Sequence, residues 1–320
     1  MSKIIVVIGI TGTQGSSVAD TFLSQPGFKV RGLTRDLSKP KCQDLILKGV
    51  ELIQADIFDE QSLEESITGA HIVFGNTAYL SEIATKVGSQ QQAHDLEIRQ
   101  GQNIADAVSK LDTLELFIWS SLSKSSTWSK GKYMKVWHFD SKAHVVDYIR
   151  EKHSTLASKM SILQMGLFAD NWKYGQMFVP WVKLDDASMV LRIPGSGDEK
   201  IPMVVPKDAG KFVYALTQLP VGTNLLAFGA HITWGEYIEL WSKTTGVPAR
   251  LERTTIAEHS KLDDNGGFAE EMAEMYGYMT EFGYHGGDPA VTLTTDIMMD
   301  VSPVRIEDYI RTENWKPMFG

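Results

Sequence analysis

The most constraining feature of the sequence is a glycine-rich turn close to its start. The segment Gly9–Gly15 follows the apolar run Ile4–Ile8 and precedes a helical pattern over Ser16–Ser24. A tight strand-to-helix turn needs glycine, either for a positive φ or because a Cβ would block an approaching pyrophosphate. The helix N-terminus adds free N–H groups and the positive end of its dipole. The turn therefore predicts a dinucleotide site.

The spacing of this turn is GxxGxxG, which departs from the GxGxxG of the commonest dinucleotide fingerprint. Three glycines in a turn also occur by chance, so the prediction depends on the strand before the turn and the helix after it. A plain strand–helix turn is the alternative. The residues expected around the phosphates are Gly9, Thr11, Gly12, Gln14 and Gly15.

Strand and helix patterns alternate through the first half of the chain. Short apolar runs predict six strands, over Ile4–Ile8, Phe28–Thr34, Val50–Ala55, His71–Asn76, Leu114–Ser120 and Ser161–Leu167. Between them lie helical patterns over Ser16–Ser24, Ser62–Ile67, Gln90–Lys110 and His138–Arg150. Apolar strands that alternate with helices are typical of a parallel sheet covered on both faces. The predicted fold is therefore α/β, with a doubly wound parallel sheet.

The pattern changes after Phe168, and this change predicts two parts. Residues 1–155 form the nucleotide-binding part, completed by a strand near 161–168, and residues 169–320 are mostly a substrate-binding or lid part. A helix is predicted over Phe268–Phe282, because its apolar residues recur every three or four positions. Four glutamates are assigned to the other face of that helix: Glu270, Glu271, Glu274 and Glu281.

The end of the second predicted strand distinguishes between the two nicotinamide dinucleotides. NAD sites usually place Asp or Glu about 20 residues beyond the glycines, on the ribose hydroxyls. Here the residue is Arg35, whose guanidinium can pair with the 2′-phosphate of NADP. A solvent-exposed arginine is the alternative, and the neighbouring Asp36 weakens the NADP assignment.

Three more residues are expected near the cofactor because they follow predicted strands. Asp56 comes after the third strand, where the adenine amino group would lie, although a cap on the following helix is an alternative. Asn76 and Thr77 come at the end of the fourth strand. Ligands of open parallel sheets bind at the carboxyl ends of the strands, so both residues would line the cofactor cleft.

Charge and cysteine content exclude several functional classes. The 320 residues carry a formal net charge of −9, which disfavours direct binding to nucleic acid. Cys42 is the single cysteine, so neither an internal disulfide nor a structural zinc site is predicted. The apolar stretch Ile4–Ile10 is shorter than the roughly 20 residues that a membrane span needs. We expect a cytoplasmic protein that binds no metal and no membrane.

Five segments carry a further signal when they are taken together. They are Gly9–Gly15, Thr34-Arg35, Ala55-Asp56, His138–Lys142 and Gly166–Asn171. Together they resemble the NmrA-like family of atypical short-chain dehydrogenases/reductases. This resemblance implies a Rossmann domain that prefers NADP(H), with a smaller C-terminal α/β substrate domain. It also implies two kinds of member, reductases or isomerising enzymes on one hand and redox sensors or co-regulators without turnover on the other.

The segment His138–Lys142 corresponds to the active-site helix of short-chain reductases. Such enzymes usually carry Tyr and Lys four residues apart, the first to donate a proton and the second to hold the nicotinamide ribose. Here Lys142 is kept, and His138 replaces the tyrosine. Histidine can act as a general acid near neutral pH, or the acid is absent and the site only binds nucleotide. Tyr133 and Ser121 are the other candidate proton donors.

The substrate side is expected after Phe168, which is itself predicted to contact the cofactor. Asn171, Trp172 and Tyr174 are predicted to line an apolar pocket for the substrate. For Trp172 and Tyr174, a position in the core is an equal alternative. The methionines of the helix predicted over Phe268–Phe282 are more consistent with core than with a ligand wall.

Three functions are compatible with these residues. The first is an NADPH-dependent oxidoreductase that acts on a hydrophobic small molecule, plausibly an intermediate of specialised metabolism. The second is a non-catalytic NADP(H) sensor that signals through a protein partner. The third is a non-redox isomerase or cyclase on the same fold.

Overall fold

The computed structural model describes residues 2–79, 89–263 and 267–319. Its strands are β1 (Lys3–Ile8), β2 (Phe28–Thr34), β3 (Glu51–Gln54), β4 (Ile72–Gly75), β5 (Leu116–Ser121), β6 (Met160–Met165), β7 (Leu167–Phe168), β8 (Trp181–Lys183), β9 (Met189–Pro194), β10 (Lys200–Val204), β11 (Asn224–Ala227), β12 (Ala230–Thr233), β13 (Ala249–Thr254) and β14 (Val291–Leu293).

The α-helices of the described residues are α1 (Thr13–Leu23), α2 (Pro40–Leu47), α3 (Glu60–Ile67), α4 (Gln90–Ser109), α5 (Ser125–Trp128), α6 (Trp137–Lys152), α7 (Ser154–Ala157), α8 (Ala209–Leu216), α9 (Trp234–Thr245), α10 (Ile256–His259), α11 (Phe268–Phe282), α12 (Ile306–Thr312) and α13 (Lys316–Phe319). Short 3₁₀ turns lie at Asn171–Tyr174, Pro206–Asp208, Ser260–Leu262 and Thr294–Asp296.

The central sheet has eight parallel strands in the order β3-β2-β1-β4-β5-β6-β11-β14. Its first six strands follow the order 3-2-1-4-5-6 of dinucleotide-binding sheets. In β1, Ile5 pairs with Val30 of β2 on one side and with Ile72 of β4 on the other. The strand order reverses between β1 and β4, so the carboxyl ends of these two strands border the crevice where such sheets bind ligands.

Apolar side chains cover both faces of this sheet. Phe22 of α1 and Phe212 of α8 belong to the cluster on one face, whereas Ile104 of α4 and Val145 of α6 belong to the cluster on the other. Helices α1 and α8 approach closely because α8 carries Gly210, where a Cβ would lie 2.2 Å from the carbonyl oxygen of Ser17. The strands are therefore buried on both sides, as their uninterrupted apolar sequences predict.

The predicted strand at 161–167 is in fact two strands that belong to different sheets. The chain leaves the central sheet at Gly166, where a Cβ would lie 2.2 Å from the carbonyl oxygen of Pro202. Strand β7 then pairs with β10 in a small sheet of order β12-β10-β7. The central sheet is not completed near 161–168, because the later strands β11 and β14 extend it beyond β6.

A third apolar cluster joins elements that follow residue 168 to Phe139 of α6 and Leu167 of β7. It joins Trp181, Trp241 and the methionines of α11 to the two small sheets, of which the second has the order β13-β9-β8. Helix α11 has the bounds predicted from its apolar spacing, Phe268–Phe282.

The α/β fold with a doubly wound parallel sheet is confirmed. The strand Phe28–Thr34 also has its predicted bounds, whereas α1 begins at Thr13 rather than Ser16. Helix α2, which buries Cys42, was not predicted. None of the helices in the described ranges combines the length and apolar character needed to cross a membrane. Nor do these ranges contain a group of three or more His, Cys, Asp or Glu side chains that could hold a metal ion.

Candidate active site

The glycine turn directly follows β1 and opens α1. Gly9 has a φ of +74°, and its carbonyl oxygen accepts a hydrogen bond of 2.9 Å from the N–H of Gly12. Gly12 is the N-cap of α1 and the first turn carries no acidic side chain, so the N-terminal N–H groups face no local carboxylate. At Gly15, a Cβ would lie 2.3 Å from the Gly9 carbonyl oxygen. The turn thus brings the helix N-terminus close against the end of β1, as a pyrophosphate site requires.

A cavity of about 540 Å³ lies beside this turn, and we call it the Arg35 cavity. Arg35 and Lys39 supply cations to its wall, and Ile57 and Leu96 supply apolar surface. The carboxylate of Asp36 is engaged in its own loop, where it accepts hydrogen bonds from the N–H and hydroxyl of Ser38. These hydrogen bonds lower the pKa of Asp36. The cavity therefore offers positive charge together with an apolar floor.

Two polar atoms in the wall of the Arg35 cavity lack partners. The amide oxygens of Asn76 and Gln100 are buried, and neither accepts a hydrogen bond within the described ranges. Buried polar atoms are nearly always hydrogen-bonded in native proteins, so an orphaned pair in a cavity wall indicates a polar ligand. This observation and the glycine cradle fit a nucleotide.

Asp56 stabilises its own loop directly after β3. Its carboxylate accepts a hydrogen bond of 2.9 Å from the N–H of Phe58, and the cavity wall here is formed by Ala55, Ile57 and Phe58. It is not the cap of the next helix, because Asp59 fills that position. An acidic residue after a strand stabilises its own turn readily, and this local hydrogen bond holds the side chain.

A second cavity, of about 300 Å³, lies across the ends of β4, β5 and β6, and we call it the His138 cavity. Both cavities are bordered by the same four residues, Gly12, Asn76, Thr77 and Ala78. Several predicted site residues line the His138 cavity, namely Gln14, Ser121, His138, Lys142, Phe168 and Asn171. The two cavities therefore lie side by side over the carboxyl ends of the strands, and together we call them the cleft.

Lys142 lies in the wall of the His138 cavity, bound to a carboxylate that the sequence analysis missed. Its Nζ is 2.6 Å from Oε1 of Glu97 on α4, and it donates to the carbonyl and hydroxyl oxygens of Thr77 at 3.2 and 3.1 Å. Glu97 is fully buried and also accepts hydrogen bonds from the hydroxyls of Thr77 and Ser141. Buried charges are tolerated when they are paired and hydrogen-bonded, so this network fixes the ammonium in place.

His138 precedes Lys142 by one turn of α6 and is bound to a second buried carboxylate. Nδ1 of His138 lies 2.5 Å from Oε1 of Glu271 on α11, which also accepts the His138 backbone N–H at 2.9 Å. The Tyr79 hydroxyl donates to the other oxygen, Oε2, at 2.9 Å. Burial and the nearby Glu271 raise the pKa of Tyr79. Helix α11 thus contributes directly to the wall of the cavity.

The other two candidate proton donors are placed differently. Ser121 lines the His138 cavity, and its hydroxyl donates to the carbonyl of Leu122 at 3.3 Å. Tyr133 is buried, and its hydroxyl donates to Glu281 at 2.6 Å. Burial and this hydrogen bond raise the pKa of Tyr133. Tyr133 therefore serves the packing of α11 rather than the cavity.

The substrate-side residues divide in the same way. Asn171 lines the His138 cavity, but Trp172 stacks on Trp315 with ring centroids 4.7 Å apart, and Tyr174 is 58% exposed. Successive residues of a 3₁₀ turn point in directions about a third of a turn apart, so Trp172 cannot follow Asn171 into the cavity. The apolar wall is instead formed by Phe139, Phe178, Met272, Met275 and Tyr284.

The missed carboxylates left a weak trace in the sequence. Glu97 falls four residues after Ala93 and seven before Ile104, which places it on the apolar face of α4. Glu271 falls four residues before Met275, at the edge of the apolar face of α11 rather than on the solvent side. A single glutamate on an apolar helix face is a signal for a buried ion pair.

A family model of the NmrA-like family matches residues 1–311 of the chain. The chain belongs to the NmrA-like family. Among curated members, an NmrA-like family domain-containing oxidoreductase, cpsB of Aspergillus campestris, is 25% identical over 304 residues, covering 90% of this chain and 86% of the relative. An NmrA-like family domain-containing protein of Dictyostelium discoideum is 30% identical over 328 residues, covering 99% of both chains.

Solved NmrA-like structures share this fold. NmrA, a negative transcriptional regulator solved in complex with NADP, superposes with a TM-score of 0.71 at 18% identity, covering 97% of this chain and 95% of that one. Leucoanthocyanidin reductase of Vitis vinifera, solved with NADPH, has a TM-score of 0.71 at 16% identity, covering 96% and 98%.

Proposed function

We propose that this NmrA-like protein is an NADP(H)-dependent oxidoreductase that acts on an apolar small molecule of specialised metabolism. The observation that supports it best is that the two cavities adjoin each other, with Gly12, Asn76, Thr77 and Ala78 in the walls of both. One end of the cleft carries Arg35 and Lys39, and the other carries His138 and Lys142. A dinucleotide needs such a cleft, with cations at one end and proton-exchanging groups at the other.

The residues of the cleft fit NADP(H) in distinct roles. The N–H groups at the start of α1 would hold the pyrophosphate, and Arg35 with Lys39 would hold the 2′-phosphate. The orphaned oxygens of Asn76 and Gln100 would accept hydrogen bonds from the nucleotide. When bound, the reduced nicotinamide supplies a hydride to a C=O, C=N or activated C=C bond of the substrate.

The substrate end of the cleft is mostly apolar. Phe178, Met272 and Met275 form a wall that suits an apolar ligand, and methionines adapt to irregular shapes. The fully buried carboxylates of Glu97 and Glu271 disfavour an anionic substrate here. Lys142 would hold the ribose, and His138 would supply the proton that balances the arriving hydride.

The experiment that tests this function follows NADPH oxidation with a panel of aromatic ketones, imines and activated alkenes. We expect turnover with at least one apolar compound and about a 100-fold lower kcat in His138→Gln, since a positioned general acid typically contributes 10²–10⁴-fold. Ser121→Ala serves as the alternative donor variant, and Tyr133→Phe should keep its kcat because its hydroxyl contacts Glu281. A kcat that falls only in Ser121→Ala would transfer the proton-donor role to Ser121.

A second candidate function is a nucleotide sensor that acts through a protein partner. It is favoured by the similarity in fold to NmrA, which is described as a negative transcriptional regulator. Tight NADPH binding with no turnover across the panel, and partner capture that depends on the NADP⁺/NADPH ratio, would support it. A product formed without oxidation of added nucleotide would favour a non-redox enzyme instead.

A further inference from the structure

Glu271 stands apart from the glutamates beside it on α11. Glu270 lies at the surface, where it pairs with Lys135 at 2.6 Å, and Glu274 accepts the Lys135 backbone N–H at 2.8 Å. Glu271 is fully buried and lies between His138 and Tyr79, which both line the His138 cavity. Burying a carboxylate costs several kcal/mol unless it is fully hydrogen-bonded, so this position demands the three donors that surround it.

The hydrogen bonds of Glu271 determine which ring nitrogen of His138 carries its hydrogen. Oε1 accepts the backbone N–H of His138, and a carboxylate has no hydrogen to donate. The contact of 2.5 Å from Nδ1 to the same oxygen therefore requires the hydrogen to lie on Nδ1. Nε2 is then the ring nitrogen that exchanges a proton with a molecule in the cavity.

We propose that Glu271 is a positioning residue, which holds His138 with Nδ1 protonated and Nε2 directed to the ligand in the His138 cavity. This inference rests on the proposed oxidoreductase function. In the reductive direction, the Nε2–H bond of the imidazolium breaks and an O–H or N–H bond forms on the substrate. The electron pair of that bond stays on Nε2, and the substrate is reduced by the hydride of NADPH. Neutral imidazole remains, and its Nδ1–H still donates a hydrogen bond to Glu271.

The same design serves His138 and Lys142, the two site residues of the active-site helix. Glu97 from α4 holds Lys142, and Glu271 from α11 holds His138 one turn earlier. The two carboxylates lie 174 positions apart in the sequence, yet each binds a side chain of α6. Glu271 therefore connects the proton-exchanging residue to the part of the chain that also supplies Met272 and Met275 to the substrate wall.

The first test reads the tautomer of His138 in the nucleotide-free protein by ¹⁵N NMR of the imidazole rings. The spectrum of His138→Gln assigns the signals. We expect a protonated Nδ1 in the wild type and in the control Glu270→Gln. In Glu271→Leu the Nδ1 acceptor is gone, and the Nε2-protonated form should gain population. A wild-type His138 that carries its hydrogen only on Nε2 overturns the proposal, whatever the activity of the protein.

The second test uses Glu271→Gln, which keeps the shape of the side chain and removes its charge. Its amide oxygen must stay toward the His138 N–H, and its NH₂ group then faces the Tyr79 hydroxyl, which can accept. This variant should therefore retain the tautomer, yet it lacks the charge that balances the imidazolium. We expect kcat to fall at least 10-fold with KM and the Kd for NADPH within 2-fold, and Glu270→Gln to match the wild type.

If kcat does not change in Glu271→Gln, the negative charge of Glu271 has no part in turnover, and this part of the proposal is overturned. A loss confined to KM, or equal in Glu270→Gln, shows only a structural role and also counts against the proposal. If the wild type turns over no compound, the proposed function fails by itself, and the ¹⁵N spectrum still decides the position of the His138 hydrogen. Tyr79→Phe, which leaves the contact between Glu271 and Nδ1, should change kcat less than Glu271→Gln.

Discussion

The two ends of the cleft are built in different ways. The Arg35 cavity is formed by residues of the first hundred positions, most of them at the ends of strands and in the loops that follow, and both Arg35 and Lys39 are exposed at its edge. The His138 cavity gathers residues from position 12 to position 284, and two fully buried carboxylates hold its Lys142 and His138 side chains. The nucleotide end is therefore a product of local backbone geometry, whereas the reactive end is a product of long-range packing. Substitutions at the first should change affinity, and those at the second should change stability and turnover together.

The largest effect is expected for a substitution of Glu97, and it is a loss of folding stability. Glu97→Leu leaves the buried Lys142 ammonium without its carboxylate, and breaking a buried pair in this way costs about 3–5 kcal/mol. We expect the free energy of unfolding in urea to fall by about that amount. The double variant Glu97→Leu/Lys142→Met should recover most of the loss, since no charge then remains unpaired.

The matched control for Glu97 is Glu64→Gln, which removes an exposed pair with Lys110. Surface pairs contribute little, so its unfolding midpoint should stay close to that of the wild type. If the free energy of unfolding of Glu97→Leu is no lower than that of Glu64→Gln, the buried pair of Glu97 and Lys142 does not stabilise the reactive end.

The next effect is expected at Arg35, where the comparison predicts a change in affinity without a change in stability. Hydrogen bonds to charged groups contribute about 1.5–3 kcal/mol, so Arg35→Ala should weaken NADPH binding about 10–100-fold. NADH, which lacks the 2′-phosphate, should bind with nearly unchanged affinity. Calorimetric titration with both nucleotides measures this, and Lys29→Ala, an exposed lysine on β2, is the control. Equal losses for the two nucleotides would mean that Arg35 does not contact the 2′-phosphate.

A smaller effect is expected when the glycine turn is tightened. Gly15→Ala would place a Cβ 2.3 Å from the Gly9 carbonyl oxygen, so the start of α1 must move away from β1. Overpacking of this kind costs about 1–3 kcal/mol, and we expect it to appear in both NADPH affinity and melting temperature. Gly235→Ala on α9 is the control, because its Cβ would meet only the Thr233 hydroxyl at 3.8 Å. NADPH affinity that is unchanged in Gly15→Ala would separate this turn from the nucleotide site.

The sequence predicts several single elements well because their signals are local. The turn Gly9–Gly15 and the strand before it are contiguous in the chain, and β2 and α11 have the bounds that their apolar patterns indicate. His138 and Lys142 are found on one helix because four residues make one turn. Each of these predictions needs only the few residues that lie next to one another in the chain.

The two buried carboxylates of the reactive end could not be predicted from the sequence, because tertiary packing decides their positions. Glu271 was assigned to the solvent face of α11, and it became a buried partner of His138 only because α11 packs against α6. Tyr133 is a candidate acid by its place in the sequence, but in the structure its hydroxyl donates a hydrogen bond to Glu281. The return of β11 and β14 to the central sheet likewise depends on contacts between distant segments, which no local pattern encodes.

The smallest expected effect concerns a histidine that supports the wall of the His138 cavity from behind. His259 is buried, its Nε2 contacts the carbonyl of Met177 at 3.0 Å, and its Nδ1 is unpartnered within the described ranges. Burial lowers the pKa of His259 in the folded protein. As the pH falls below about 6.5, the unfolded chain therefore binds a proton before the folded protein does, and the folded state loses stability.

This loss of stability at low pH should be absent in His259→Gln, which keeps a donor for Met177 but does not titrate. The melting temperature between pH 7.5 and pH 5.5 should thus fall further in the wild type than in His259→Gln, and the remaining buried histidines contribute equally to both proteins. An equal fall of the melting temperature in both proteins would show that His259 does not couple the reactive end to pH. The Met177–Phe178 segment would then be held by the hydrogen bond that the Tyr276 hydroxyl donates to the carbonyl of Phe178.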